Sequence, residues 1–267
     1  MKQQEHTHVN TVRYHNSRKN IKKKAQTHQY PPKKRNFGTN NPIIHPDTMP
    51  TAILLAGGSG SRFGADKPKQ FLDMHGMPII EHTIRAFHSH PHIDKIIIIT
   101  RADYIDHVRH IAAPYPKVTH ILPGGRERYH STLAALSVCT DSDELLLIHD
   151  AVRPYVSHTI IDRCLAALTT YDAVGTAIPT TDTIVRVDAQ DIITQTLPRH
   201  ELRNMQTPQG FRQRTLRRAF DLGLQDPHFQ PTDDCSVVMR YTPATPIKII
   251  QGEATNIKIT YPSDIRQ

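Results

Sequence analysis

Glycines and basic side chains lie close together near residue 60, directly after a short apolar stretch. They occur in the segments Ala56-Gly57-Gly58-Ser59-Gly60-Ser61-Arg62 and Pro68-Lys69-Gln70. Glycine lets backbone N–H groups approach an anion closely, and arginine and lysine supply positive charge. We therefore predict that this region binds a polyphosphate; the alternative is a glycine-rich surface turn with solvated charges. The predicted binding residues are Ala56, Gly57, Gly58, Gly60, Arg62 and Lys69. For the neighbouring Lys67 two readings stay open, a further phosphate contact or a solvated side chain.

Two familiar phosphate-binding patterns do not describe this region. The dinucleotide fingerprint requires G-x-G-x-x-G, whereas Gly58, Gly60 and Gly64 are spaced G-x-G-x-x-x-G. The Walker loop requires Gly-Lys followed by Ser or Thr, and the sequence contains no such tripeptide. The spacing therefore argues against a nicotinamide-dependent oxidoreductase.

A second polar segment, His149-Asp150-Ala151-Val152-Arg153-Pro154, follows the apolar stretch Leu145–Ile148. In an open α/β sheet, ligands bind beyond the carboxyl ends of the strands. A carboxylate at such a place can accept hydrogen bonds from hydroxyl groups, so Asp150 is a candidate binding residue. The alternative is an ion pair between Asp150 and Arg153 that only fixes the loop.

Residue types that often bind metals form no consistent pattern. The three cysteines are odd in number and widely spaced, which suits neither a disulfide framework nor a zinc site. The string His88-Ser89-His90-Pro91-His92 is interrupted by proline. We therefore predict a surface loop there rather than a metal site.

The elements that must position these residues alternate between short strands and amphipathic helices. Near-continuous Ile, Leu and Val runs separated by helices indicate a mostly parallel sheet covered on both faces. The predicted strands are Thr51–Ala56, Lys95–Thr100, Val118–Leu122, Leu145–His149, Ala173–Ile178, Ile247–Gln251 and Ile257–Thr260. The predicted helices are Ile79–Ser89, Tyr104–Ala112, Ser131–Ser137, His158–Thr169, Gln213–Gly223 and Asp233–Arg240.

Two further β-rich segments, Thr183–Val187 and Ile192–Leu197, flank Asp188-Ala189-Gln190-Asp191 and predict a hairpin. This hairpin has little apolar cover of its own. We therefore expect an arm over residues 183–199 that projects from the domain and is covered by a partner chain.

The formal charge of +8 is confined to one end of the chain. Residues 1–48 contain 10 Lys or Arg and 2 Asp or Glu, whereas residues 49–267 contain 23 of each sign. The basic segment has few aliphatic residues, so we predict a disordered extension; a nucleic-acid or anionic-surface tail, a targeting peptide, and an upstream segment with Met49 as the start are the alternatives. The neutral domain over 49–267 gives no reason to expect nucleic-acid binding.

The sequence has no apolar run of the ~18 residues that a membrane helix needs. It also lacks the basic start, apolar stretch and small-residue cleavage site of a signal peptide. We therefore expect no membrane association and a cytoplasmic location.

Several blocks carry a family resemblance in the same order. They are Ala56–Arg62, Pro68–Gln70, Gly124–Arg128 with Ser131, His149–Pro154, Asp182-Thr183, Gln206–Gln209, Thr232–Asp234 and Asn256–Thr260. Together, over residues 51–264, they resemble the 2-C-methyl-D-erythritol 4-phosphate cytidylyltransferase family. The sister family of ribitol-5-phosphate cytidylyltransferases shares nearly all of them.

The resemblance implies a three-layer, Rossmann-like nucleotidyltransferase fold of the α/β class and a reaction that joins CTP to a polyol phosphate and releases pyrophosphate. The substrate phosphate is itself the nucleophile and is ionised near pH 7, so no side chain has to activate it. Catalysis then consists of positioning two anions and stabilising the charge between them. Arg62 and Lys69 are the implied catalytic residues.

The resemblance also implies residues for each substrate. The polyol phosphate is bound by Asp150, Arg153, Thr183, Arg199 and Lys258. Thr183 and Arg199 serve the site of a neighbouring subunit, because the arm makes a homodimer. The cytosine is recognised at Gly125 and Ser131.

Mg²⁺ or another divalent cation is implied because it bridges phosphate oxygens; no protein ligand can be assigned to it. Methylerythritol phosphate is placed ahead of ribitol phosphate because its family is the more abundant. The segments Ala56–Gly58, Ala151–Arg153 and Asp182–Val185 nevertheless lean toward the ribitol enzymes. Family members continue past Asp264 with a further helix, whereas this sequence ends at Gln267.

Overall fold

The computed structural model describes residues 50–58 and 67–265. The predicted extension over 1–48, Gly60 and Arg62 lie outside these ranges. The strands are β1 Thr51–Ala56, β2 Asp73–Met74, β3 Met77–Pro78, β4 Lys95–Thr100, β5 Val118–Pro123, β6 Leu145–Asp150, β7 Ala173–Pro179, β8 Val185–Val187, β9 Ile193–Thr196, β10 Arg203–Arg212 and β11 Ile247–Gln251. The helices are α1 Ile79–His88, α2 Ile105–Ala112, α3 Arg128–Leu136, α4 His158–Leu168, α5 Gln213–Gly223 and α6 Asp234–Tyr241. Within the described ranges, none of these helices is long and apolar enough to cross a membrane.

Seven strands form one sheet in the order β11-β7-β10-β6-β1-β4-β5. β1 pairs in parallel with β4 and with β6, and the pairs β4–β5 and β7–β11 are also parallel. Unbroken runs of Ile, Leu and Val suit these strands because helices cover both faces of the sheet. The predicted bounds of β1, β4 and β11 agree with the structure, and those of β5, β6 and β7 differ by a single residue.

Alternate residues of β1 point to opposite faces of the sheet and so belong to two separate cores. Ala52 and Leu54 pack in a cluster with residues of α1, α2 and α4. Ile53 and Leu55 pack in a second cluster with residues of α3, α5 and α6. The predicted three-layer α/β fold with a mostly parallel sheet is therefore confirmed.

Strand β10 is absent from the predicted strands, although it is ten residues long and lies in the middle of the sheet. It runs antiparallel to both of its neighbours, β6 and β7. Pro208 is the reason that the sequence does not predict this strand. Proline cannot donate a ladder hydrogen bond, so its presence argues against a central strand. The pairing with β7 shifts register between Met205 and Gln209, on either side of that proline.

The predicted strand over Ile257–Thr260 is wrong, because these residues form an extended loop that belongs to no strand. The N–H of Ile259 donates to the carbonyl of Val152 at 2.8 Å. The Ile259 side chain packs against Met74, Ile79 and Val152 in a small apolar cluster. The alternating apolar residues therefore reflect a loop that covers this cluster.

The predicted hairpin is confirmed by β8 and β9, which pair with each other and with no strand of the large sheet. Every residue of the two strands is exposed. The exposed side chains include Ile193, at 63%. The arm therefore presents apolar surface that the rest of the described chain leaves exposed.

Candidate active site

The carboxyl ends of β1 and β6 open into a cleft of about 690 Å³. Because β1, β4 and β6 are parallel neighbours, their last residues meet at one edge of the sheet. The cleft brings together most of the predicted site residues that the structure describes. Those that line it are Ala56, Gly57, Gly58, Lys69, Gly125, Ser131, Asp150 and Lys258.

The backbone at the end of β1 is held by Gln70, whose side chain is buried. Its Nε2 donates to the carbonyl of Ala56 at 2.7 Å and to that of Gly58 at 3.2 Å. Lys69 stands next to it, at the first position of a short 3-10 turn. No role is predicted for Gln70, but its position in the Pro68–Gln70 block is a signal that could have found it. The structure shows that it fixes the backbone leading into the glycine region.

The pair Gly124-Gly125 packs tightly against the first turn of α3. A Cβ added to Gly124 would lie 2.6 Å from the Oγ of Ser131, and one added to Gly125 would lie 2.5 Å from the Cβ of His130. Both distances are far below a normal van der Waals contact, so this close approach requires glycine. Gly125 and Ser131 consequently share one wall of the cleft.

Asp150 ends β6, and its side chain is only 11% exposed. Lys258 Nζ donates to its Oδ2 at 2.9 Å, Arg153 Nε lies 3.6 Å from Oδ2, and Arg128 Nε lies 3.6 Å from Oδ1. Burial alone would raise the pKa of Asp150, but these cations outweigh burial and hold the pKa well below its usual range. The carboxylate is therefore ionised at neutral pH. The Asp150–Arg153 ion pair expected as an alternative is present as one part of this larger cluster.

Arg153 belongs to the charged cluster around Asp150 but is not among the residues that line the cleft. Its Nη1 donates to the carbonyl of Asn256 at 2.9 Å. This bond ties the loop after β6 to the loop that carries Lys258. Arg153 and Lys258 are thus both close to Asp150, but only Lys258 faces the open space.

No role is predicted for Arg128 from the sequence, yet it lines the cleft between two carboxylates. Its Nη1 donates to Asp234 Oδ2 at 2.6 Å, in addition to its approach to Asp150. Burial would lower the pKa of Arg128, but the two carboxylates outweigh burial and raise it. Arg128 and Asp234 are each the last residue of a block of the family resemblance, which marks them as candidates. They are 106 positions apart, so no spacing rule predicts that they pair.

Thr207 of β10 fixes the backbone and side chain at the end of β6. Its Oγ1 accepts from the N–H of Asp150 at 3.1 Å and donates to Nδ1 of His149 at 3.0 Å. His149 Nε2–H then donates to the carbonyl of Arg153 at 3.1 Å. Burial lowers the pKa of His149 to about 4, so the ring is neutral and these partners define its tautomer.

Two glutamines of β10 extend this support to both sides of the cleft. Gln206 Oε1 accepts from Nδ2 of Asn256 at 3.3 Å, which steadies the loop before Lys258. Gln209 Nε2 donates to Asp233 Oδ2 at 2.6 Å, and its Oε1 accepts from the N–H of Cys235 at 3.0 Å. Gln209 therefore fixes the start of α6, where Asp234 lies.

Thr183 and Arg199 stand apart from the cleft, at the two ends of the hairpin arm. Arg199 Nη2 donates to the Oγ1 of Thr183 at 3.0 Å, and neither residue lines the cleft. A single chain does not bring them together with Asp150 and Lys258. Their role at the substrate of a neighbouring subunit stays a prediction, as do the roles of Gly60 and Arg62, which lie outside the described residues.

The described residues do not supply a protein cage for a metal ion. Within residues 50–58 and 67–265, no group of three or more His, Cys, Asp or Glu side chains could hold one. The carboxylates among the lining residues are Asp150 and Glu127, and cations already approach both oxygens of Asp150. This donor set does not fit a metal held by protein side chains alone.

The histidine string His88–His92 is predicted to form a surface loop, and for His90 this prediction is wrong. His90 is 1% exposed, and its Nε2 lies 3.1 Å from Asp162 Oδ1. Its Nδ1 accepts from the N–H of His92 at 3.2 Å. The sequence pattern therefore contains one buried, hydrogen-bonded histidine between more exposed ones.

Known proteins similar to this chain point to one family. The family model described as 2-C-methyl-D-erythritol 4-phosphate cytidylyltransferase matches residues 51–267. A protein of that name from Thermobifida fusca (strain YX) is 44% identical over 222 residues. The match covers 80% of this chain and 89% of the relative.

A second relative carries a different name. It is the bifunctional ribulose 5-phosphate reductase/CDP-ribitol pyrophosphorylase Bcs1 of Haemophilus influenzae, 42% identical over 219 residues. The match covers 80% of this chain but only 46% of that protein. Among solved structures, 4-diphosphocytidyl-2C-methyl-D-erythritol synthase from Anaerococcus prevotii DSM 20548 matches with a TM-score of 0.73 and 30% identity, over 82% of this chain and 95% of that one.

The low pKa of His149 predicts a specific pH dependence of stability. An unfolded histidine titrates near 6.5, so between pH 6.5 and 4 the unfolded chain binds a proton that the folded chain does not. The contribution of His149 is fully present above pH 6.5 and decreases by about 1.4 kcal/mol for each pH unit through that window. His149→Gln should remove this part of the slope in urea unfolding measured at pH 6.5, 5.5 and 4.5. Equal slopes in the two proteins would contradict the prediction.

Proposed function

This chain belongs to the 2-C-methyl-D-erythritol 4-phosphate cytidylyltransferase family, and we propose that it transfers CMP from CTP to 2-C-methyl-D-erythritol 4-phosphate and releases pyrophosphate. The observation that carries this proposal is that one cleft, at the ends of β1 and β6, gathers most of the predicted site residues that the structure describes. Its lining includes the glycine segment, Lys69, Asp150 and Lys258. Two anionic substrates can meet there because cations and backbone N–H groups are concentrated at one place.

The reaction forms a bond between a phosphate oxygen of the polyol and the α-phosphorus of CTP, and it breaks the bond to pyrophosphate. Since the attacking oxygen is already ionised, the main obstacle is repulsion between the two anions. Fixed cations and N–H donors lower that barrier by stabilising the charge that accumulates at the α-phosphate. We assign this role to Lys69 and to Arg62, and we place the triphosphate against the backbone of Ala56–Gly58.

The two ends of the reaction complex would contact different residues of the cleft. The part formed by Gly125 and Ser131 is our proposed cytosine site, where backbone groups can read the edge of the base. Asp150 can accept hydrogen bonds from polyol hydroxyls. Lys258 has three N–H donors and uses one on Asp150 at 2.9 Å, which leaves donors for the substrate phosphate.

Mg²⁺ is proposed to enter the site bound to the phosphate oxygens of CTP. This ion usually keeps several waters and binds through substrate phosphates with one or two carboxylates. Such binding is compatible with a cleft lined by Asp150 and Glu127 that holds no protein cage. When bound, the ion would offset the charge of the pyrophosphate leaving group.

We also propose that two copies of this chain associate through the hairpin arm. The exposed apolar residues of the arm are Ile184, Val185, Val187, Ile192 and Ile193. An isolated two-stranded hairpin is only marginally stable in water, so cover from a second copy would stabilise it. Arg199 and Thr183 would then complete the site of that second copy, where the guanidinium could bind the substrate phosphate.

The reducing cytoplasm is the proposed compartment. Cys139, Cys164 and Cys235 are all free and buried. Unpaired thiols are typical of proteins that work where disulfides do not form. Burial also raises the pKa of each thiol, to about 12 for Cys139 and Cys164, which keeps the thiols protonated and unreactive.

A ribitol phosphate substrate is the second candidate, and one observation favours it. A protein named in part as a CDP-ribitol pyrophosphorylase is 42% identical over 219 residues. The family model and the relative at 44% identity both name the methylerythritol substrate. The methylerythritol reaction therefore remains the better supported.

The substrate can be decided by measuring pyrophosphate release from CTP and Mg²⁺ with each polyol phosphate in turn. We expect release with 2-C-methyl-D-erythritol 4-phosphate and a kcat/KM on the order of tenfold or more lower with D-ribitol 5-phosphate. The reverse preference would select the ribitol reaction. If neither compound supports release, the chain is not a cytidylyltransferase for these substrates.

Lys69→Ala is predicted to lower kcat by about 100-fold or more, since a fixed donor of this kind contributes roughly 3–4 kcal/mol to the transition state. Steady-state kinetics at saturating CTP and polyol phosphate would measure the change. The matched control is Lys67→Ala, because Lys67 is an exposed lysine two residues away. A near-normal kcat in Lys69→Ala would remove this residue from the mechanism.

A double substitution of Ile192 and Ile193 by Asp is predicted to dissociate the dimer, because charge would replace apolar surface that the second copy covers. The two side chains are 62% and 63% exposed in the single chain. Met239→Asp is the matched control, since Met239 is 64% exposed but lies on α6. Sedimentation velocity over a range of concentrations would show the mass. If the variant and the wild type sediment with the same mass, assembly through the arm is refuted.

A further inference from the structure

We propose that Asp234 is a positioning residue for the substrate cleft: it anchors Arg128, and Arg128 in turn sets the Asp150 carboxylate for the hydroxyls of the polyol. Asp234 itself is 1% exposed and is not among the residues that line the cleft. It therefore acts on the substrate only through its neighbour. This inference rests on the proposed function, because it assigns a purpose to residues around the proposed polyol site.

Both oxygens of Asp234 are bound to α3. Oδ1 accepts from the Oγ1 of Thr132 at 2.8 Å, and Oδ2 accepts from Nη1 of Arg128 at 2.6 Å. Thr132 is fully buried, so the carboxylate is held from a rigid side. A short, charge-assisted bond to a buried acceptor fixes the direction of a guanidinium more firmly than an exposed ion pair does.

The contact of Arg128 with Asp150 is longer than its contact with Asp234. Arg128 Nε lies 3.6 Å from Asp150 Oδ1, beyond the range of a hydrogen bond. At this distance the guanidinium attracts the carboxylate without occupying the lone pairs of Oδ1. Because Asp234 holds Arg128 at that separation, Oδ1 stays able to accept a hydroxyl hydrogen from the substrate.

The second oxygen of Asp150 is already used. Lys258 Nζ donates to Oδ2 at 2.9 Å, and Arg153 Nε lies 3.6 Å from the same atom. Among the contacts in the described part of the chain, none occupies Oδ1 by a hydrogen bond, so Oδ1 is the oxygen that the substrate has to use. If Asp234 lost its charge, Arg128 would close on Oδ1 and compete with the polyol for it.

The anchor is itself built from strand β10. Gln209 donates to Asp233 Oδ2 and accepts from the N–H of Cys235, so it binds the residues on both sides of Asp234. Asp233 caps α6 by accepting from the N–H of Ser236 at 2.8 Å. The position of Asp234 is therefore determined by the centre of the sheet and not by a mobile surface loop.

The test compares wild type, Asp234→Asn and Asp226→Asn by steady-state kinetics and by thermal unfolding. Asp234→Asn keeps the shape and removes the charge. We expect it to raise the KM for the polyol phosphate about tenfold, the effect of losing one charge-assisted hydrogen bond, while kcat and the KM for CTP change less than about twofold. Calorimetric titration with the polyol phosphate alone should show the same loss of affinity.

Asp226→Asn is the matched control because it breaks an Arg–Asp pair near the other end of α6, where Arg240 Nη2 donates at 2.7 Å. It should leave both KM values unchanged. Arg128→Lys should reproduce the effect of Asp234→Asn, since an ammonium cannot bridge two carboxylates as a guanidinium does. If Asp234→Asn fails to fold, the neutral pair Arg128→Gln with Asp234→Asn replaces it and should also raise the KM for the polyol phosphate, because Asp150 then lacks the guanidinium that positions its Oδ1.

Two results would overturn the inference. One is a lower melting temperature in Asp234→Asn with the KM for the polyol phosphate unchanged, which would make the residue purely structural. The other is an equal rise in both KM values, which would mean general disruption of the cleft. Failure of the proposed function is a separate result, because wild type would then release no pyrophosphate with either polyol phosphate.

Discussion

The charge balance around Asp150 is the interaction on which the rest of the cleft depends. A carboxylate this buried would take up a proton if it stood alone, and three cations this close would repel each other without it. With Lys258 at 2.9 Å and two arginines at 3.6 Å, the group stays ionised and the cations stay together. The surplus of positive charge then remains available to two substrates that are both anions.

Strand β10 maintains this balance although none of its residues lines the cleft. Thr207 binds the backbone of Asp150, Gln206 steadies the loop that carries Lys258, and Gln209 fixes the start of α6. Because β10 lies between β6 and β7 and runs antiparallel to both, one strand can reach all three places. Packing in the centre of the sheet is therefore coupled directly to the geometry of the site.

The parallel part of the sheet could be predicted from the sequence because β1, β4 and β6 are unbroken apolar runs. The glycine segment, Lys69 and Asp150 could be placed with them, since each follows such a run. β10 could not, because Pro208 and polar side chains interrupt it. The loop with Ile257 and Ile259 has the sequence pattern of a strand because its apolar side chains cover a cluster, although its backbone pairs with no strand.

The supporting contacts of the site could not be predicted from the sequence for a different reason. They join residues that are distant in the chain, such as Arg128 with Asp234 and Lys258 with Asp150, 106 and 108 positions apart. Hydrogen-bond geometry at such separations is determined by the packing of whole elements. Motif blocks could mark these residues as important, but only the folded chain shows which partner each one has.

The central claim is that a single cleft gathers cations and backbone donors so that two anions can react. A crystal structure of the full chain with CTP and Mg²⁺ would test it most directly. We predict that the triphosphate lies along Ala56–Gly58 beside Lys69, with the cytosine against Gly125 and Ser131. A nucleotide bound outside this cleft, with its phosphates far from the end of β1, would contradict the account.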